Sequence, residues 1–110
     1  MSKLTIAVTQ MTCGWDEDDN IQRAEAMVRE AKGQGAGLVL LQELFLTPYF
    51  CSEQDPKHFD LSRPFEGHPV IEHFAALARE LGVVMPISFF ERTERQFFNS
   101  VAIVDADGSI

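Results

Sequence analysis

A chain of 110 residues, with 45% hydrophobic and 24% charged residues, has the composition of one small globular domain and excludes a disordered polypeptide. Its 17 acidic residues outnumber 9 basic ones for a net charge of -8, and the lysines and arginines do not cluster, which excludes a nucleic-acid partner. Two cysteines make no disulfide framework, and no apolar run matches a signal peptide or membrane span, so we expect a cytoplasmic protein with no membrane partner.

The first forty or so residues predict a strand, a helix and a second strand. Residues 4–9 (LTIAVT) are apolar and rich in β-branched residues, which predicts a buried strand. The acidic run at residues 16–19 suits the positive end of a helix dipole. The apolar face of that helix is formed by Ile21, Ala24, Val28 and Ala31. Residues 38–41 (LVLL) are apolar in succession, as in a parallel strand that is covered on both faces.

A long connection and a second helix follow. Residues 42–66 contain three prolines and several aromatic residues, which predicts a packed loop, and a loop of this length is usually functional. His68 and Pro69 predict the cap and the first position of a helix, and Gly82 predicts its end.

The remaining residues predict two strands, over 83–90 and 97–105, joined by a polar turn. Pro86 conflicts with the first of them because proline cannot donate a ladder hydrogen bond, so we expect a bulge or an unpaired position there. Residues 109–110 resemble the opening of a further strand. We therefore expect residues 1–110 to be a single incomplete domain, the N-terminal part of a longer α/β fold.

The strongest candidate for chemistry is Glu43, which lies just beyond the second predicted strand. In open α/β sheets, ligands bind at the carboxyl ends of the strands. A carboxylate that follows four apolar residues is expected to be poorly solvated, and poor solvation makes it a better general base. On position alone, the alternative is an ordinary acid that faces water.

Short motifs with a recognisable order extend along the whole chain. QELF at residues 42–45 is followed by TPYFC at residues 47–51. The others are AVTQ at 7–10, GHP at 67–69, LGVV at 81–84, PISFFE at 86–91 and NSVAIVD at 99–105. Together they resemble the nitrilase superfamily of carbon–nitrogen hydrolases.

This resemblance implies a fold and a catalytic triad. The implied fold is the N-terminal part of an α-β-β-α sandwich, in the order β-α-β-loop-α-β-β, and members commonly assemble as homo-oligomers. Glu43 matches the general base of the family's Glu-Lys-Cys triad. The sequence contexts of the family's lysine and nucleophilic cysteine do not occur in these 110 residues, so we expect the chain alone to be inactive.

The resemblance also implies a substrate class. It is greatest to members that hydrolyse a small N-carbamoyl amine, N-carbamoylputrescine, to putrescine, carbon dioxide and ammonia, without a metal or other cofactor. Glu53, Asp55 and Asp60 could then assist capture of a cationic substrate, although solvated loop acids are the simpler interpretation. The alternatives are a related ureidopropionase, ω-amidase or nitrilase, or a complete non-catalytic α/β module that binds a ligand or another subunit.

Two further residues are candidates for the site. Tyr49 could line the substrate pocket and offer its hydroxyl group, or it could simply pack within the loop. Asn99 could hydrogen bond the strand ends and hold the loop that carries Glu43, a structural role near the site.

The cysteines and histidines predict no chemistry of their own. Cys13 lies in a CGWD stretch that superficially resembles the family's cysteine signature, but it has an extra glycine and precedes the first helix, so we do not assign it as the nucleophile. Cys51 could face the pocket, since it belongs to the family's loop, but we expect a packed loop thiol. The three histidines lack the spacing of metal ligands, and they are His58, His68 and His73.

Overall fold

A computed structural model describes residues 3–52 and 56–110 as two pairs of strands, joined edge to edge by a single bridge, with two helices on one face. The strands are β1 (Ile6–Val8), β2 (Leu38–Leu40), β3 (Met85–Arg92) and β4 (Phe97–Val104). The helices are α1 (Glu17–Gly33) and α2 (Pro69–Leu81), and two short 3-10 helices cover Phe50–Ser52 and Pro56–Leu61. This sequence of elements confirms the predicted order β-α-β-loop-α-β-β.

Helix α1 begins where the acidic run predicts it. The side chain of Asp16 accepts a hydrogen bond from the Asp19 amide at 3.2 Å, which satisfies an amide that has no partner within the helix. The acidic first turn and Lys32 in the last turn both complement the helix dipole. Ala24 and Val28 are fully buried, so the predicted apolar face is the one that packs on the sheet.

Helix α2 has the predicted boundaries as well. Nδ1 of His68 accepts a hydrogen bond from the Val70 amide at 3.3 Å, and Pro69 occupies the first helical position. Gly82 ends the helix with a φ of 68°, a left-handed conformation that glycine adopts without steric cost. Phe74 projects from this helix into the core and meets the ring of Phe45 edge-on at 5.5 Å.

The four strands lie in the order β1-β2-β3-β4. Strands β1 and β2 are parallel, with Val8 opposite Leu40, and β3 and β4 are antiparallel. The two pairs are joined by one parallel bridge between Leu38 and Val84. In that bridge the Val39 amide donates to the Val84 carbonyl at 2.9 Å, and the Val84 amide donates to the Gly37 carbonyl at 2.9 Å.

Pro86 lies within β3 without disturbing its pairing to β4. The register is continuous through the Pro86–Ile103 pair, so the predicted bulge is wrong. Residues two apart in a strand direct their amides to the same neighbour, and Val84 directs its amide to β2. The donor that proline lacks is therefore missing on the β2 side, where pairing is limited to the Leu38–Val84 bridge.

Among the residues that the structure describes, only the helix-facing side of the sheet is covered. Val39, Met85 and Ile87 are fully buried beneath the helices. The prediction that the first strand is buried is wrong, because Ile6 is 58% and Val8 74% exposed on the other face. The prediction that the second strand is covered on both faces fails for the same reason. The apolar side chains exposed on this open face of the sheet are Ile6, Val8, Leu40, Val101 and Ile103.

The loop after β2 is partly packed, as its aromatic residues predict. Phe45 and Phe50 are buried, whereas Tyr49, Phe59 and Phe65 remain substantially exposed. The ring of Phe59 packs against that of Phe97 of β4 at a tilt of 34°, with a centroid distance of 4.5 Å. Two of the loop acids named above, Glu53 and Asp55, lie outside the described residues. Within the described ranges, neither helix is long and apolar enough to cross a membrane.

Candidate active site

Glu43 lies three residues beyond the end of β2, at the carboxyl edge of the sheet. It borders an open cleft of about 690 Å³ on the uncovered face. Apolar side chains of three strands line this cleft, together with polar side chains on the strands and just beyond β2. They include Val8, Leu40, Val101, Gln42, Ser88 and Asn99. The cleft thus combines an apolar floor with a few polar groups beside a carboxylate, as ligand sites commonly do.

The carboxylate of Glu43 faces solvent in this chain, which corrects the expectation that it is poorly solvated. The reason is the same open face that leaves β1 exposed, since no element of the described chain covers the cleft. Glu43 nevertheless borders a cavity at the predicted edge of the sheet.

Two of the three predicted site residues, Glu43 and Asn99, are in direct contact, and the charge of Glu43 acts on the third, Tyr49. The side-chain amide of Asn99 donates a hydrogen bond to Oε1 of Glu43. The negative charge of Glu43 raises the pKa of the Tyr49 hydroxyl above its ordinary value, and Cys51 adds to this effect. Tyr49 is 52% exposed, so much of its ring is open to solvent.

The backbone around Glu43 is held by a chain of hydrogen bonds that begins at Gln42. Oε1 of Gln42 accepts from the Met11 amide at 2.7 Å, and Nε2 of Gln42 donates to Sγ of Cys13 at 3.2 Å. The Cys13 thiol in turn donates to the Phe45 carbonyl at 3.0 Å. These contacts tie residues on both sides of Glu43 to the segment that follows β1.

The residue after Glu43 has an unusual backbone. Leu44 has a φ of 49°, and within the described ranges it is the one residue other than glycine with a positive φ. Its side chain is buried, and its amide donates to Oγ of Ser88 at 2.9 Å. The left-handed turn redirects the chain directly after Glu43, and β3 supplies the acceptor for the amide at this turn.

Three residues that organise the site were not identified from the sequence. They are Gln42, Ser88 and Asn20, whose contacts all join segments far apart in the chain. Asn20 is completely buried and donates from Nδ2 to the carbonyls of Gly14 and Leu46, at 2.7 and 2.8 Å. The sequence did offer a signal for Asn20, which is an asparagine on the apolar side of the predicted helix α1. A side-chain amide that is buried there needs hydrogen-bond partners.

The two cysteines differ in their surroundings. Cys13 is half-buried, and this burial raises the pKa of its thiol, an effect that the charge of Arg23 partly offsets. A raised pKa disfavours the thiolate and argues against a nucleophilic role for Cys13. Cys51 is exposed rather than packed, which corrects the expectation for this residue.

The histidines lie apart from Glu43. His58 stacks on Trp15, His68 caps α2, and His73 contacts Glu25 on the outside of the helix layer. In the part of the chain that the structure describes, no three histidine, cysteine, aspartate or glutamate side chains come together to hold a metal ion.

Comparison with known proteins identifies relatives for nearly the whole chain. The family model described as carbon–nitrogen hydrolase matches residues 5–110. An N-carbamoylputrescine amidase from Oryza sativa subsp. japonica is 46% identical over 108 residues, which are 98% of this chain and 36% of that protein. A citrullinase from Francisella tularensis is 36% identical over the whole chain and 38% of its own length. The chain thus spans a little over a third of the length of these relatives.

A solved structure shows the same arrangement of elements. The crystal structure of a carbon–nitrogen hydrolase from Helicobacter pylori G27 superposes with a TM-score of 0.84 at 32% sequence identity. The match covers 96% of this chain and 37% of the other. The predicted α/β fold class, with the strand and helix order of this family, is therefore confirmed.

Proposed function

Because the chain belongs to the carbon–nitrogen hydrolase family, we propose that it supplies the general base of an enzyme that hydrolyses a terminal ureido group, with N-carbamoylputrescine as the substrate. The observation that carries this proposal is the place of Glu43. It borders a cleft at the carboxyl edge of the sheet, and Asn99 orients its carboxylate.

The proposed reaction needs a nucleophile and a cation besides the base. The family resemblance assigns these roles to a cysteine and a lysine whose sequence contexts lie outside these 110 residues. We therefore propose that residues 1–110 are the N-terminal part of a larger catalytic domain. Covering the open face of the sheet would remove Glu43 from water, and a carboxylate with fewer water contacts accepts a proton more readily.

In the proposed mechanism, Glu43 moves one proton in each of two half-reactions. It first accepts the thiol proton while the sulfur attacks the ureido carbon, and this proton then leaves with the departing nitrogen as ammonia. The product is an enzyme-bound thiocarbamate. Glu43 next takes a proton from water, which attacks the same carbon and breaks the carbon–sulfur bond, and the thiol regains that proton. The released carbamic acid decomposes to the free amine and carbon dioxide.

Two relatives support a ureido substrate. N-Carbamoylputrescine and citrulline both end in a ureido group, and these are the compounds for which the rice and Francisella relatives are named. We favour N-carbamoylputrescine because identity to the rice protein is higher, at 46% against 36%. Tyr49 would contact the substrate beside Glu43. The surplus of acidic residues would suit the distal ammonium group of this substrate, and Asp60 is the one of the three acids suggested for its capture that lies in a described part of the chain.

The decisive experiment measures ammonia release by the full-length gene product that carries this segment. N-carbamoylputrescine should release ammonia faster than citrulline, N-carbamoyl-β-alanine or simple amides. Glu43→Gln should lower kcat by at least about a hundredfold, as expected for loss of a general base. Glu72→Gln, on the exposed surface of α2, is the matched control and should retain full activity. Full activity of Glu43→Gln would remove the base assignment.

The same proposal includes a cytoplasmic location and assembly as a homo-oligomer. The reaction would supply putrescine for polyamine synthesis. The rival function is a non-catalytic module that pairs with another subunit, and the exposed apolar face of the sheet is the observation that favours it. The ammonia assay separates the two, because a full-length product that releases ammonia from no ureido or amide substrate would favour the module.

A further inference from the structure

The left-handed turn at Leu44 needs a specific stabilising contact. A residue with a Cβ rarely adopts a positive φ, because the side chain approaches the backbone too closely. Such a conformation persists where its surroundings enforce it, and it is common at functional sites. At Leu44 the conformation is held by burial of the side chain and by the hydrogen bond from its amide to Oγ of Ser88.

Ser88 is placed so that its hydrogen bond can fix the backbone next to Glu43 against the sheet. It lies in the middle of β3, where it is paired with Val101 of β4, and its side chain borders the same cleft as Glu43. Its partner Leu44 is the next residue after Glu43, so the peptide that joins them is fixed from the carboxyl side. Gln42 fixes the peptide on the amino side through the Met11 amide.

We propose that Ser88 is a positioning residue for the general base, acting through the Leu44 amide to hold the Glu43 carboxylate at the cleft. This inference rests on the proposed function, because the position of Glu43 matters to turnover only if Glu43 transfers the proton. Misplacement of a reacting group by about 1 Å can lower a rate by about a hundredfold. Loss of the Ser88 hydroxyl should therefore lower kcat and leave KM nearly unchanged.

The sharpest test compares two substitutions of equal shape in the full-length gene product. Ser88→Thr keeps the hydroxyl group, whereas Ser88→Val replaces it with a methyl group, and both residues are favoured in strands. We expect Ser88→Thr to keep kcat within about threefold of the wild type and Ser88→Val to lose at least about tenfold, with KM of both within about twofold. Equal kcat values for the two variants would overturn the proposal, and so would a loss confined to KM.

Ser100 provides a matched control for the loss of a strand hydroxyl. It lies on β4, is half-buried like Ser88, and donates from Oγ to Oε1 of Glu91 at 2.7 Å, on the helix-facing side of the sheet. Ser100→Thr and Ser100→Val should have the same kcat. If Ser100→Val lost as much activity as Ser88→Val, the effect would belong to the fold and the positioning role would be refuted.

A second measurement does not depend on activity. Hydrogen exchange of the Leu44 amide, followed by NMR, should be slow in the wild type and in Ser88→Thr, and at least about tenfold faster in Ser88→Val. Rapid exchange in the wild type would overturn the proposal even if Ser88→Val did not fold. The Glu43→Gln variant distinguishes failure of the positioning role of Ser88 from failure of the proposed function. If it is inactive while Ser88→Val matches Ser88→Thr, the positioning role fails alone, and if it is fully active, the proposed function fails first.

Discussion

The Asn99 side chain on β4 donates a hydrogen bond to the carboxylate of Glu43, a residue 56 positions earlier in the chain. The two residues belong to different pairs of strands, since Glu43 follows β2 of the parallel pair and Asn99 lies on β4 of the antiparallel pair. The bond thus brings the parallel and antiparallel parts of the sheet together at the cleft.

Removal of the Asn99 amide should weaken turnover. Asn99→Leu keeps the approximate shape but cannot donate, so we expect kcat of the full-length enzyme to fall about tenfold, corresponding to loss of one hydrogen bond to a charged group. Asn99→Asp should be worse, because it places a second carboxylate beside Glu43. Steady-state ammonia release at neutral pH measures both effects. An Asn99→Asp enzyme as active as the wild type would contradict the orienting role.

Tyr49 allows the proximity of Glu43 to be measured without any catalysis. It is the one tyrosine in the sequence, so the ultraviolet absorbance of tyrosinate reports on it alone. The charge of Glu43 disfavours the phenolate, and Tyr49 should titrate above the ordinary pKa of 10.0. Glu43→Gln should lower that pKa, whereas Asp60→Asn should leave it unchanged. An identical titration in Glu43→Gln would show that the two side chains lie apart.

The cysteines should differ in alkylation rate. Cys51 is exposed, whereas Cys13 is half-buried with a thiol pKa that burial raises. Since only the thiolate reacts, we expect iodoacetamide to modify Cys51 at least about tenfold faster near neutral pH. The Cys13 rate should then climb as the pH rises toward its raised pKa. Mass spectrometry of a time course resolves the two sites, and unfolding in urea should equalise them. Faster modification of Cys13 in the native state would contradict the structure.

Stability should fall in mild acid because of His68. Burial lowers the pKa of His68, the charge of Arg63 lowers it further, and Glu17 partly offsets both. The unfolded state then binds a proton near the ordinary value of 6.5, while the folded state resists it to lower pH. The free energy of unfolding should therefore decrease as the pH falls below about 6.5, and the loss should level off below the folded pKa.

Urea unfolding of the chain across this pH range tests the assignment. His68→Asn retains a capping side chain and should flatten the pH dependence, whatever its effect on absolute stability. Gln22→Ala, on the exposed face of α1, removes no titratable group and is the control, which should keep the slope of the wild type. A slope that survived in His68→Asn would assign the effect to another group.

The sequence predicted the elements well because their signals are local. The apolar positions from Ile21 to Ala31 recur with helical spacing, and the cap at His68 lies beside Pro69, so both helices were readable without tertiary information. Glu43 was chosen as the candidate base from its place after a strand and from the motif around it, and its role stays a prediction. Burial of β1 could not be predicted in the same way, because an apolar strand pattern does not reveal which face of the sheet is covered.

The contacts that organise the site required coordinates. Ser88 lies 44 residues from Leu44, and Gln42 lies 31 residues from Met11. Serine and glutamine occur in many contexts, so their types alone indicate no partner. The positive φ of Leu44 is equally invisible in the sequence, since glycine is the residue that usually marks such a turn.

Because Pro86 lacks an amide donor, contacts at the candidate site help to hold the two pairs of strands together. With β2 and β3 sharing one bridge, the boundary between them is a seam with few backbone hydrogen bonds. The Glu43–Asn99 and Leu44–Ser88 contacts both cross that seam. The contacts at the candidate site thus also fasten one half of the domain to the other. Evolution of new specificity at this cleft is therefore constrained by cohesion of the fold as well as by chemistry.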